Sequence, residues 1–168
     1  MIRHRDKGIP KDRWIPSSEW DRITRRVNLT TCDLVIQRSD GALLFGRRVI
    51  QPYRGKWALV GGVVLRGESL YSAAKRIAAE YEMTFQELYL IGVFPARFKF
   101  RSDVVTALAG LNAAGEPRVD GKGFSGFRWF RQPPRGLGLN YRRIITKWNA
   151  MKRKTDFMSL NAVRPSRA

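Results

Sequence analysis

Trp57-Ala-Leu-Val-Gly-Gly-Val-Val-Leu-Arg-Gly-Glu68-Ser-Leu-Tyr-Ser-Ala-Ala-Lys-Arg76-Ile-Ala-Ala-Glu80-Tyr81-Glu82 is the stretch whose reading decides the fold. A short apolar strand runs into two glycines, a Gly-Glu turn follows, and an alanine-rich segment then presents charges on one side. Leu70, Ile77 and Tyr81 share a stripe at helical spacing, and Ala73, Ala74, Ala78 and Ala79 are strong helix formers. A helix of about four turns is therefore predicted from Glu68 to about Glu82. Strand, loop and helix in that order describe a cradle for a phosphate or a metal ion.

Toward the N-terminus, Cys32–Arg38 and Ala42–Arg48 are apolar runs joined by Ser39-Asp40-Gly41, and Asp-Gly between such runs predicts a hairpin. The loop Gln51–Lys56, punctuated by Pro52 and Gly55, leads into a strand from Trp57 to Val60. Further back, Ser17-Ser18 reads as the N-cap of a short helix whose Trp20 and Ile23 are spaced to dock on the core. Toward the C-terminus, Leu88–Phe94, Asp103–Ala109 and Phe127–Phe130 read as strands. Asn140–Lys152 reads as a helix with Ile144, Ile145, Trp148 and Met151 inward and Arg142, Arg143 and Lys147 toward water. The order predicts an α/β domain with a mixed sheet flanked by helices over 28–152. A basic extension with a short helix (1–27) precedes it, and a basic tail (153–168) follows.

The chain of 168 residues, 43% hydrophobic, suits one domain with a real core. Against 14 Asp and Glu stand 32 Lys and Arg, a net charge of +18 that points either to a polyanionic partner or to a solvated basic surface. From Lys122 onward the only acid is Asp156, so much of this charge is terminal. The single cysteine, Cys32, excludes an intrachain disulfide and any zinc site built on two cysteines, and a reducing, cytoplasmic compartment is expected. His4 is the only histidine, so a serine-histidine-aspartate triad in the core is not expected. No apolar run approaches the roughly 20 residues of a membrane span, and no signal peptide is visible.

At Gly62-x5-Glu68-x7-Arg76 the chain resembles the Nudix hydrolases, whose box reads Gly-x5-Glu-x7-Arg-Glu-U-x-Glu-Glu-x-Gly-U, with U a bulky aliphatic residue. Leu43–Arg48, Pro52–Trp57 and Phe127–Phe130 look like the branch that includes GDP-mannose mannosyl hydrolase, and the resemblance covers about residues 28 to 150. It implies an α/β/α sandwich and a Mg²⁺ (or Mn²⁺) ion that offsets the charge of a pyrophosphate. It further implies a box formed by Gly62, Glu68 and Arg76, a metal held by the Gly61 carbonyl and Glu80, and catalysis resting on Arg48 and Glu80. Asp33, Arg47, Arg48 and Arg54 fall at the substrate. Magnesium takes oxygen ligands, and carboxylates at i, i+3 and i+4 share a helix face to supply them. Here those positions are Ile77, Glu80 and Tyr81, so one carboxylate remains. Met83 replaces the box's final glycine, Val63 the branch's arginine after the double glycine, and Gly123 and Phe124 its loop glutamine and histidine. Asp103 or Asp120 would be a recruited ligand.

Two functions follow. The leading one is a Mg²⁺-dependent hydrolase of a nucleoside diphosphate linked to a sugar or another group. The alternative is a catalytically degenerate scaffold that holds nucleic acid or a ribonucleoprotein through basic tails and the alternation Arg97, Phe98, Lys99, Phe100, Arg101. A degenerate scaffold with a merely basic surface is the bland third. Glu68 and Arg76 also read as a structural ion pair, Glu80 as a partner of Arg76, and Tyr81 as core or cleft lining. The oligomeric state stays open, a homodimer included.

Overall fold

The computed structural model describes residues 15–98, 101–119, 122–154 and 158–159. In chain order these form α1 (Ser17–Thr24), β1 (Leu29–Ile36), β2 (Leu43–Arg48), β3 (Trp57–Ala58), β4 (Val60–Val63), α2 (Leu70–Ala79), β5 (Glu87–Arg97), β6 (Ser102–Leu111), β7 (Phe124–Phe130), α3 (Leu139–Lys154) and β8 (Met158–Ser159). One sheet has the order β4-β1-β6-β5-β8 and the other β3-β2-β7. β1 runs parallel to β6 and antiparallel to β4, so the larger sheet is mixed, as expected.

Asp40-Gly41 does make a turn: Asp40 Oδ1 accepts from the Ala42 amide at 3.1 Å, and the Arg38 amide donates to the Ala42 carbonyl at 3.0 Å. The expected hairpin nevertheless stops at a single bridge between Gln37 and Leu43. Both flanking strands bury apolar side chains, and β1 and β2 part into different sheets, each finding other partners. A second difference concerns the double glycine. Gly61 and Gly62 lie inside β4, paired with Asp33 and Cys32, and the loop begins only after Val63.

The pleat of the β1–β4 pair sends alternate residues to opposite faces. A Cβ at Gly62 would meet Ile77 of α2 at 3.4 Å, which puts α2 on the face that carries Cys32 and Gly62. Asp33 and Gly61 point the other way, toward α3, whose buried Tyr141 feels the charge of Asp33. Trp148 Nε1 donates to Gln37 Oε1 at 3.1 Å and fastens α3 to the end of β1. The core between the layers contains Leu34, Ile36, Leu44, Phe45, Leu59, Ile77, Leu108, Ile144 and Trp148, all essentially inaccessible.

Helix α2 starts at Ser69, whose side chain accepts from the Ser72 amide at 3.1 Å. It ends earlier than its stripe predicts. Glu82 turns left-handed (φ 58°), and the Met83 and Glu82 amides donate to Ala78 and Ala79. Helix α1 does not use the predicted serine cap, because Pro16 takes the N-cap position without a side-chain bond. Trp20 and Ile23 are partly buried. Among the described residues no helix is long and apolar enough to cross a membrane.

Candidate functional site

Arg76 is the hub of the loop that follows β4. Its Nε and Nη2 grip Glu68 at 2.8 and 2.9 Å, Nη1 reaches Glu80 at 2.8 Å, and Nη2 also donates to the Val63 carbonyl at 2.9 Å. Glu68 Oε2 additionally accepts from the Leu65 amide at 3.0 Å. A planar fork between two carboxylates and a strand-end carbonyl ties three chain segments together. The hydrogen bonds to Glu68 are the largest reason why the Arg76 pKa rises above the ordinary arginine value, against the opposing effect of burial.

On the opposite face of the sheet lies a second polar group. Asp33 is half-buried, and its carboxyl occupies the space that a side chain at Gly61 would need. Burial pushes its pKa up to about 7; Arg48 works against the shift and Asp103 adds to it. Asp103 is 5% exposed, paired through one oxygen with Arg101 at 2.9 Å, while its Oδ1 is buried without a hydrogen-bond partner. Tyr141 is also buried, which raises its phenol above the usual range. Asp33, Arg48, Asp103 and Tyr141 thus form one electrostatic cluster. Gly61→Ala should run its methyl into the Asp33 carboxyl and sit 2.9 Å from the Cys32 carbonyl. Its expected cost is about 1–3 kcal/mol, measured by urea unfolding, with Asp33 displaced from its place.

Arg48 donates from Nε to the Pro52 carbonyl at 2.8 Å, and its guanidinium lies 5.8 Å from the centre of the Phe124 ring. Arg47 is exposed with its guanidinium 5.5 Å from the Trp57 ring centre, and Arg54 is exposed. The α2 face that should carry carboxylates is apolar instead. Ile77 is fully buried, and Tyr81, 7% exposed, meets Phe124 and Phe127 edge-on at 5.6 and 5.2 Å. Glu80 is engaged by Arg76. Among the described residues no three His, Cys, Asp or Glu side chains come together as metal ligands. A donor set of one carboxylate, already bound to a guanidinium, and the Gly61 carbonyl does not fit a resident Mg²⁺ or Mn²⁺ ion.

The predicted site residues therefore divide into two groups. Glu68, Arg76 and Glu80 gather at the loop; Asp33, Gly61 and Arg48 gather beneath α3; Arg47 and Arg54 lie outside both. Asp120, Lys99 and Phe100 lie outside the described residues. Phe98 packs edge-on against Tyr53 at 6.2 Å, and Arg101 turns to Asp103, so this part of the predicted basic-aromatic alternation is largely occupied within the fold. Tyr141 was missed, although it stands three residues before Ile144 and seven before Trp148, on the same inward stripe. The ring cluster of Tyr81, Phe124 and Phe127 had no sequence signal, because its members come from distant segments.

A family model described as the NUDIX domain matches residues 28–133, more than half of the chain. Over 80 residues the chain is 44% identical to the low-salt glycan biosynthesis protein Agl8 of Haloferax volcanii, an alignment covering 48% of this chain and 51% of that protein. The chain thus spans about half the length of this curated relative. The fold is similar to that of a MutT NUDIX hydrolase from Burkholderia pseudomallei (TM-score 0.67, 24% identity, 73% of this chain and 98% of that one). It is also similar to the NUDIX domain of Shewanella oneidensis NrtR, solved with ADP ribose (TM-score 0.63, 18% identity, 76% and 90%). Together with the Glu68 and Arg76 hub, the match over 28–133 places this chain in the NUDIX family.

Proposed function

We propose that this NUDIX chain binds a nucleoside diphosphate linked to a sugar, and that metal-dependent hydrolysis of that ligand is weak. The observation that carries the reading is the Asp33 carboxyl held against Gly61 and facing the charge of Arg48. A half-buried carboxyl accepts hydrogen bonds from sugar hydroxyls, and a guanidinium beside it suits a phosphate. The name of the Haloferax relative, a glycan biosynthesis protein, supports a sugar-linked ligand. Asp33 and Gly61 would meet the sugar, with Arg48 on the diphosphate and Arg47 and Arg54 at the rim.

NUDIX hydrolases generally use divalent ions such as Mg²⁺. In this chain the box helix offers Ile77 and Tyr81 where two of three carboxylates would stand, which is the ground for weak turnover. Calorimetric titration with GDP-, UDP- and ADP-linked sugars, in EDTA and again in Mg²⁺, tests both halves. Binding of at least one of them without metal is expected, and Asp33→Ala should weaken it about tenfold or more, the loss of a hydrogen bond to a charged group. Turnover in Mg²⁺ should stay well below the roughly 1–1000 s⁻¹ of ordinary enzymes. Binding that requires Mg²⁺, with turnover inside that range, would overturn the reading and assign an ion to Glu80 and the Gly61 carbonyl.

A further inference from the structure

Helix α3 has two faces of different chemistry. Tyr141, Ile144, Ile145 and Trp148 are buried, whereas Arg142, Arg143, Thr146 and Lys147 are exposed. At 3.6 residues per turn these four exposed residues fall within an arc of about 140°. The helix contains no Asp or Glu. Beside it, toward β5, runs an open groove of about 450 Å³, within the usual size range of ligand sites. Arg142, Arg143 and Lys147 supply cations, and Phe94, Leu139 and Ala150 supply apolar surface. Leu139 is 68% exposed, a large apolar side chain left to water at the edge of a cationic wall.

We propose that this groove binds single-stranded nucleic acid, with backbone phosphates on Arg143 and Lys147 and a base on the apolar surface of Phe94, Leu139 and Ala150. Charge complementarity is the first reason. Arg143 and Lys147 stand one turn apart with Cβ atoms about 5–6 Å from each other. Neither has an acidic partner among the described residues. Arg142 is partly engaged, its Nε donating to the Leu137 carbonyl at 3.3 Å. The apolar surface is the second reason. An unpaired base offers a flat face that stacks on apolar and aromatic side chains, and a duplex hides that face. A membrane surface suits the helix less well, because an interfacial helix buries its apolar side in lipid, and here that side is already in the core. The groove is separate from the Asp33 cluster, so this assignment stands independently of the sugar-nucleotide reading.

Fluorescence anisotropy with a labelled 20-residue oligouridylate, and with a duplex of equal length, tests the proposal on the full chain. The single strand should bind more tightly than the duplex. The double variant Arg143→Gln, Lys147→Gln should bind it about tenfold more weakly at 100 mM salt, two phosphate contacts having been lost. With about 0.7 of salt slope per contact, wild-type affinity should fall about sevenfold more than that of the variant between 50 and 200 mM salt. Leu139→Asp, at an exposed position, should weaken binding with an unchanged melting temperature, which separates a binding effect from misfolding. Retention of wild-type affinity and salt slope by the double variant would overturn the proposal, since the charge would then act from elsewhere on the chain. Equal affinity for the duplex would overturn it as well. So would binding of phosphatidylserine vesicles through Arg143 and Lys147 in the absence of RNA binding.

Discussion

Arg76→Ala is expected to lower the stability of the protein by about 3 kcal/mol, because breaking a buried ion pair leaves an uncompensated charge behind. For a chain of this length that corresponds to a fall in melting temperature of about 10 °C. Glu68 carries most of the effect. Its side chain is 9% exposed and loses both parallel bonds to the guanidinium, while the bond from the Leu65 amide stays. Glu80, at 35% exposed, is solvated and its loss matters less: Glu80→Gln should cost no more than about 0.5 kcal/mol. Arg76→Lys should fall between the two, since an ammonium keeps the charge but cannot form the two parallel bonds to Glu68. Thermal and urea unfolding of Arg76→Ala, Glu68→Gln and the double variant measure the coupling directly. A drop below about 2 °C for Arg76→Ala would mean that the loop is held by something other than this hub.

Asp33→Asn is expected to stabilise the protein above neutral pH and to leave it nearly unchanged near pH 4. In the folded protein the Asp33 pKa is raised from 3.8 to about 7, chiefly by burial. Between these two values the folded chain holds a proton that the unfolded chain has released, so stability falls as pH rises through the window. It is fully retained below the unfolded value and levels off above the folded one. For a wholly enclosed carboxyl a rise of this size would amount to about 4 kcal/mol, and the partial exposure of Asp33 reduces the expected loss to about 2–3 kcal/mol. Asparagine stays neutral throughout and should flatten this part of the profile. Unfolding free energies at pH 4, 6 and 8 decide the matter: parallel profiles for the two proteins would show that Asp33 ionises freely in the fold. Asp103, raised in the same direction, is coupled to Asp33, so Asp33→Asn also relieves part of the repulsion on Asp103 and the comparison reads the pair.

Local pattern made much of this protein legible. The alanine-rich run gave away α2, and two long spacings, Gly62 to Glu68 and Glu68 to Arg76, pointed to a loop closed by an ion pair that the structure contains. Partner choice was not legible. Asp40-Gly41 signals a tight turn whatever the strands do next, and only the burial of both faces decides that β1 and β2 separate. The double glycine read as a loop because glycine is common in turns, yet Gly61 is needed inside a strand, where the Asp33 carboxyl leaves no room for a side chain. Counting carboxylates on one helix face showed that the metal cradle is depleted. It could not show that Tyr81 joins Phe124 and Phe127, since three rings from distant segments share no periodicity.

The four hydrogen bonds around Arg76 close the loop after β4 from within the chain. The surface of that loop is consequently preorganised. An incoming ligand meets a loop whose conformational entropy was already lost on folding, so more of its contact energy appears as affinity. The same rigidity insulates the loop from its surroundings: a mutation in the Asp33 cluster, on the opposite face of the sheet, should leave the shape of the loop unchanged.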